Sequence, residues 1–470
     1  MFSDLLKHIG DLIGEFFSKD EVFWLLFFVV MTGGIAIVAV PDISLIQIIL
    51  DIIHFFLRTW WFWLFLILFP LTQSLWLYFK QEEFKNGIKW ILLELRIPRE
   101  TDKSPRAMEQ VFVAFHTLRN VPGDWREKYI DGEITRPISL EIVSLGGEIH
   151  FYIRTYAKQK NLVEASMFAY YPDVEVVEVD DYIDRLPKDL QETYEQGQNI
   201  WGTEMVLNKE EAYPIKSYAE FEDPEETRQF DPISTFLEVL GKVKKEEIAA
   251  IQMLIAPADK AWSDEWDSLL EELEKPKMID VVSAEGDVRK VPVPKSPGKT
   301  DIIEKIENNF SKPAFATLIR FIYLSPQSSF SDTFASRGLV GAFNQYGSLE
   351  INSFRQNYNM STRVDIWHWP HIFPKARNEY RKQRILFNYR KRELPPETWM
   401  GRFMSSHPFN LNFHSKRFIL NIEGLASLFH PPIKMVLTAP HIKRLESRKA
   451  GPPAGLPIFG EEEEIKKYME

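Results

Sequence analysis

The chain contains no cysteine in its 470 residues. Disulfides, thiolate metal sites and a cysteine nucleophile are thereby excluded, and nothing points to an oxidising compartment. Charge is almost missing from residues 22–79, while most of it lies after Lys80. Strings of common catalytic sites are missing too: neither Gly-x-Ser-x-Gly nor His-Glu-x-x-His occurs. Gly298-Lys299-Thr300 resembles the end of a phosphate loop, but Val293 stands where that loop needs its first glycine. Pro292, Pro294 and Pro297 oppose the backbone wrap as well, so a flexible loop is expected there. His368 and His371 could share a metal on paper, but Pro370 breaks the helix that would align them. The acids at 174–181 suggest a magnesium strand, yet Glu175 and Glu178 interrupt it. These absences predict a chain that is not an enzyme, with no cofactor and no metal. The net charge of −11 excludes a general nucleic-acid binder.

What is present begins with the membrane. Residues 22–40 carry no charge, and at about 1.5 Å per residue they can cross a hydrocarbon core of about 30 Å. Residues 59–79 form a second predicted span, with Trp60, Trp61 and Trp63 at one end and Trp76 and Tyr78 at the other. Such aromatic belts mark the two water interfaces, and Pro70 inside the span is tolerated there. Residues 1–21 lack a basic n-region and place Phe2, Leu5, Leu6, Ile9, Leu12, Ile13, Phe16 and Phe17 at helical spacing. That pattern predicts an amphipathic surface helix rather than a cleaved signal. Between the spans, Ser44, Gln47, Asp51, His54 and Arg58 form a polar stripe. It fits an interfacial helix or a third, partner-packed span, and stripe polarity explains it without a proton relay. Lys80, Lys85, Lys89, Arg96 and Arg99 follow the second span, Lys7 and Lys19 precede the first, and only Arg58 lies between. The positive-inside rule then predicts a hairpin at 22–80 in the inner (cytoplasmic) membrane, with both termini cytoplasmic.

The soluble remainder predicts an α+β class. Residues 90–97, 139–144, 148–155 and 174–179 read as strands, and 104–118 and 158–171 as helices. Ser104-Pro105 supplies a helix start, Leu145-Gly146-Gly147 a hairpin turn, and Pro172 a helix stop. The order β-α-β-β-α-β over 88–184 is the ferredoxin-like plan. After a polar linker at 185–200, a looser copy spans 200–360. Its strands are expected at 203–207, 248–255, 314–324 and 348–353, its helices at 232–240 and 330–346, and an insertion at 257–312. The expected architecture is therefore a two-helix transmembrane hairpin followed by tandem ferredoxin-like domains. Residues 361–458 form a basic and docking segment, and 459–470 an acidic tail.

One basic stretch holds Lys375, Arg377, Arg381, Lys382, Arg384, Arg390, Lys391 and Arg392, interleaved with Tyr380, Phe387 and Tyr389. It suits nucleic-acid backbone and base stacking, and equally a solvated helix face or anionic lipid. His150 and Tyr152 share one strand face as in RNA-recognition modules, but without their aromatic signature.

Four passages carry a family likeness: ELRIPRETDKSPRAMEQVFVAFH from Glu94, SLEIVSLGGEIHFYIR from Ser139, FAYYPDVEVVEVDDY from Phe168, and FILNIEGLASLFHPP from Phe418 with PPAGLPI ending at Ile458. Together they resemble the N-terminal, non-motor half of membrane-anchored conjugation and type IV secretion-like ATPases, of the TraC/TraG and HerA–FtsK kind, from candidate-phyla bacteria. The likeness covers most of residues 60–458, and the motor that follows in such relatives is missing here. It implies either an oligomeric accessory half whose ATPase, HerA-, FtsK- or TraG-like, is a separate polypeptide, or a truncated gene product. It further implies that 418–458 docks that motor. Phe418 and Leu420 would form a pairing strand, Leu425, Leu428 and Phe429 apolar anchors, and Pro431, Pro432, Pro452, Pro453 and Pro457 would hold the chain extended. The alternative is that this segment packs on its own second repeat. The remaining functional alternative is a membrane-tethered nucleic-acid binder using 375–392.

Overall fold

The structure, a computed structural model, describes residues 45–98, 103–221, 231–282, 288–368, 371–396, 399–406 and 414–432. The expected helix at 1–21, the first span at 22–40, and the proline-bearing segment and acidic tail beyond 432 lie outside them. The chain divides into two compact units, Met1–Trp76 and Leu77–Glu470.

In the first unit, α1 (Leu45–Arg58) is followed by the start of α2 (Trp60–Asn86). Thr59 joins them: its Oγ1 donates to the Phe55 carbonyl at 2.6 Å and accepts from Trp63 Nε1 at 2.8 Å. The hydroxyl and the indole N–H are thus satisfied inside an apolar stretch, as burial in lipid would require. Among the described residues α2 is the one helix long and apolar enough to cross a membrane, with mean hydropathy 1.6 and none of its apolar window buried. It runs through Pro70 without a break in the helix.

The second unit is built on one antiparallel sheet. Its strands are β1 (Trp90–Arg96), β2 (Ile138–Leu145), β3 (Glu148–Tyr156), β4 (Glu175–Val179), β5 (Gln198–Leu207), β6 (Ile248–Pro257), β9 (Ala314–Pro326), β10 (Phe354–Gln356) and β11 (Phe418–Asn421). A separate hairpin holds β7 (Lys277–Val282) and β8 (Val288–Val293). The large sheet runs β10-β5-β9-β6-β2-β3-β1-β4, with β11 pairing β9. Read inward from either edge, each half has the order fourth, first, third, second strand. The halves meet through β2 and β6, in register from Ile138 opposite Ile255 to Leu145 opposite Ile248. That seam pairs eight positions, against seven in β2–β3 and ten in β6–β9, so the two halves share a single sheet.

Its central strands are buried along almost their whole length because both faces are covered. On one face lie α3 (Arg106–His116), α4 (Lys160–Tyr170), α6 (Ser234–Leu240) and α11 (Ile422–Leu428). Phe112, Met167, Leu237 and Leu425 join Leu93, Ile142, Ile251 and Phe321 in that core. On the other face Ile183, Leu190, Ile385 and Leu386 cover Leu92, Val143, Ala250 and Ile322. These come from a short turn at Tyr182–Arg185, from α5 (Leu190–Glu195) and from α9 (Pro374–Lys391).

Several expectations are corrected. The presumed linker at 185–200 is packed structure, since α5 and the Tyr182–Arg185 turn bury apolar side chains on the sheet. The strand expected at 348–353 forms at Phe354–Gln356. The helix expected at 330–346 forms as one continuous helical run over 332–346, π-helical at Phe334–Leu339 and tightened to a 3-10 turn at Ala342–Tyr346. Within the insertion lie α7 (Asp267–Glu274), the β7–β8 hairpin and α8 (Pro297–Ser311). Gly298-Lys299-Thr300 is therefore the first turn of α8, not a loop, with Pro297 at a position where a missing N–H costs nothing. A last helix, α10, covers Trp399–Met404.

Candidate functional site

Each central strand carries a polar residue inside its apolar run, and sheet register aligns these residues. Glu94 faces Tyr152, Tyr152 faces Glu141, Glu141 faces Gln252, Gln252 faces Arg320, and Arg320 faces Glu204. Because strand side chains alternate, the whole row points to the face that α9 covers. Glu141, Glu204 and Gln252 are fully buried and Arg320 nearly so.

Buried charge is tolerated only when paired and hydrogen-bonded, and the row meets that demand. Arg320 Nε donates to Glu204 Oε1 at 2.7 Å, and Ser415 Oγ lies 2.8 Å from both Glu204 oxygens. Arg320 Nη1 also reaches the carbonyls of Asn388 and Glu393 at 3.1 and 3.3 Å. Glu141 Oε2 accepts from Arg392 Nη2 and from the Tyr182 hydroxyl, each at 2.7 Å. Its Oε1 accepts from Ser139 Oγ and, at 3.3 Å, from Gln252 Nε2. Arg392 further pairs with Asp181 and stacks on the Tyr182 ring at 5.2 Å. Tyr182 and Tyr389 share a hydroxyl contact at 2.5 Å. Burial, reinforced by Glu141, pushes both tyrosines well above their ordinary range, so they stay neutral. At the row's end the hydrogen bond from His150, at 2.7 Å, does most to hold Glu94 down at about 2, with Arg96 assisting. Burial lowers the Arg154 guanidinium to about 10, and Arg392 repels it further, while it rests 4.2 Å from the Trp90 ring.

The basic stretch is the roof of this row. A side chain at Gly202 would sit 2.9 Å from the Phe321 carbonyl and 3.0 Å from Ile385 Cγ1, so glycine there lets α9 approach the sheet. Arg377 donates to the His368 carbonyl, Arg381 to those of Tyr358 and Ser361, and Arg384 to that of Asn359. Lys382 meets Asn199 Oδ1 at 2.9 Å, and Arg390 reaches the Ile183, Leu186 and Pro187 carbonyls. With Arg392 on Glu141, six of the eight cations named from the sequence serve the fold. Lys375 and Lys391 are exposed, and Lys391 lies 3.7 Å from Glu82. The expected nucleic-acid or lipid surface at 375–392 is thus corrected to an internal brace, whose guanidinium donors fix backbone carbonyls.

The five expected docking residues are likewise in the chain's own core. Phe418 and Leu420 are buried in β11, paired to Thr317 and Phe315 of β9, and Leu425, Leu428 and Phe429 have no exposure. Packing on the second repeat holds for Phe418 and Leu420 on β9, whereas the α11 segment packs beside α3 and Phe429 meets Phe151, both of the first repeat, which removes these side chains from water. His430 closes the segment through Asp231 at 2.8 Å, both side chains fully buried. His368 and His371 bond within their own loop, and no cluster able to hold a metal occurs among the described residues.

The sequence reading missed the row itself. Its signal is visible in retrospect as one polar residue inside each apolar strand: Glu94, Glu141, Gln252, Arg320 and Glu204. It also missed Glu211, whose carboxyl burial raises from 4.5 to about 7, with Glu265 adding repulsion. The neutral acid is favoured in the fold, so this contribution is complete below the unfolded value and is lost as pH rises through about 7. Glu211→Gln should match the parent in thermal unfolding near about pH 5 and melt higher near about pH 8. Coincident melting curves at the higher pH would contradict this assignment.

No curated protein matches the chain. A family described as a domain of unknown function, DUF8128, matches residues 78–393, a span that starts in α2 and ends just after Arg392. It takes in β1 to β10, the full polar row and its roof, and leaves out β11 and α11. The chain belongs to the DUF8128 family.

Proposed function

We propose that this chain is a membrane-anchored, non-catalytic accessory subunit of a type IV secretion- or conjugation-like translocation machine, acting as an oligomer beside a separate HerA-, FtsK- or TraG-like ATPase. The observation that carries the anchor is α2, apolar and wholly unburied over its spanning window, yet continuous with a folded sheet unit. Together with 22–40 it makes the two-helix hairpin, with both termini cytoplasmic by the positive-inside rule. The repeated strand order supports tandem ferredoxin-like halves fused through β2 and β6.

The polar row supports a structural role. Both oxygens of Glu141 and of Glu204 accept hydrogen bonds from within the chain, and the tyrosines beside Glu141 are held neutral. That leaves no free base or nucleophile in the row. The family likeness supplies the machine, and the motor's contact falls to surfaces other than Phe418–Leu428. The nucleic-acid alternative loses its main support with the cations of α9 engaged internally.

The full chain should pellet with membranes and resist alkaline carbonate, and a fragment starting near Lys80 should not pellet. The full chain should also bring down a phosphate-loop ATPase from its native host after mild crosslinking. Recovery of the full chain as a detergent-free soluble monomer would defeat the anchor, and capture without any such ATPase would defeat the assembly role.

A further inference from the structure

The connection from α3 to β2 exposes three large apolar side chains close together in sequence: Val121, Trp125 and Ile130, 49%, 67% and 45% exposed. Exposed apolar groups on a floppy loop would carry little meaning, but this connection is braced. Gly123 N donates to Glu127 Oε2 at 2.6 Å, Glu127 N to Asp124 Oδ1 at 2.9 Å, and Asn120 Nδ2 to Glu133 Oε2 at 2.9 Å. Thr135 Oγ1 closes the base on the Asn120 carbonyl at 3.0 Å. Trp125 and Tyr129 pack ring to ring at 5.8 Å, and Lys128 Nζ sits 5.3 Å from the Tyr129 ring. The fold therefore holds these apolar groups out in a fixed arrangement.

Their place in the unit is equally defined. The π-helical turn Glu127–Asp131 ends at Gly132 with φ 69. A side chain there would strike the Lys80 backbone of α2, so glycine is required by both conformation and contact. Four residues on, the Arg136 guanidinium sits between the rings of Phe84 and Tyr156, at 5.2 and 4.9 Å. Lys80 is the first charge after the apolar run 59–79. The connection is thus locked beside the turn of α2 at which the apolar stretch gives way to charge.

We propose that the 121–131 turn is a second membrane contact, setting Val121, Trp125 and Ile130 into the headgroup region of the bilayer that α2 crosses. This rests on the membrane reading of α2. Tryptophan with aliphatic neighbours is the chemistry of that region. Asp124, Glu127, Asp131 and Glu133 outnumber Arg126 and Lys128, so the contact is apolar rather than an attraction to anionic lipid. Its consequence is orientation: a single helix leaves the sheet unit free to swivel, whereas a second contact point fixes its tilt.

The cysteine-free chain makes the test direct. Trp125→Cys, Ile130→Cys and Glu148→Cys, each in the full chain, are labelled with one environment-sensitive fluorophore and reconstituted in phosphatidylcholine vesicles containing a headgroup-level quencher lipid. Glu148 is the control: it begins β3, whose other end, Tyr156, pairs with Trp90 just after α2, about 26 Å away. All three positions are exposed, so labelling leaves the core intact. Quenching at 125 and 130 should exceed that at 148 at least twofold and persist in high salt. Equal quenching at all three sites in a chain that resists alkaline carbonate overturns the contact and leaves the anchor standing. Release of the chain by carbonate overturns the anchor, and the contact with it.

Discussion

Arg392→Met should cost about 3–5 kcal/mol of folding stability, because it strands a buried carboxylate. Glu141 has no exposure, and Arg392 is its only cationic partner by direct contact, at 2.7 Å among the described residues. Losing the guanidinium also frees Asp181 and uncovers the Tyr182 ring. The charge, rather than the volume, carries the effect, since methionine fills much of the space. Pairing the change with Glu141→Gln should recover a large part of the loss, with a coupling of about 0.5–3 kcal/mol in a double-mutant cycle. Chemical denaturation of the four proteins measures it. Additive costs would mean that the row is not an electrostatic unit.

Ending the chain before Phe418 should abolish folding of the sheet unit. The truncation removes β11 from β9, and with it the fully buried Leu425, Leu428 and Phe429 and the His430–Asp231 bond. Each large buried side chain contributes about 1.5–3 kcal/mol by burial, so three or four together rival the whole net stability of about 5–15 kcal/mol. The milder Phe429→Ala should cost about 3–5 kcal/mol and still fold. Sedimentation and circular dichroism distinguish the outcomes. A soluble truncated chain with cooperative unfolding would return Phe418–Leu428 to the surface as a docking segment.

Glu94, Arg320 and Lys382 illustrate how far local pattern carries. Apolar runs bounded by turn residues marked most of the large sheet's strands, and Pro105 and Pro172 marked the ends of two helices, because strand and helix periods are properties of neighbouring residues. Composition likewise marked α2 as a helix long and apolar enough to cross a membrane. Those determinations needed only the sequence.

The tertiary structure decided what depends on contacts distant in the chain. Lys382 and Arg384 belong to a basic run that looks solvated when read alone, yet their partners are Asn199 and the Asn359 carbonyl. Leu425 and Phe429 look like exposed anchors until α3 is placed beside them. The polar row exists only in the register that sets Glu141 opposite Gln252 and Arg320 opposite Glu204. Register is fixed by pairing between strands more than a hundred residues apart, as Ile138 with Ile255. A one-residue slip would turn every member of the row to the opposite face. The sequence alone thus marked most of the large sheet's strands, several helices and the apolar run of α2; the fold alone decided which charges meet, which face is roofed, and which apolar groups remain exposed beside α2.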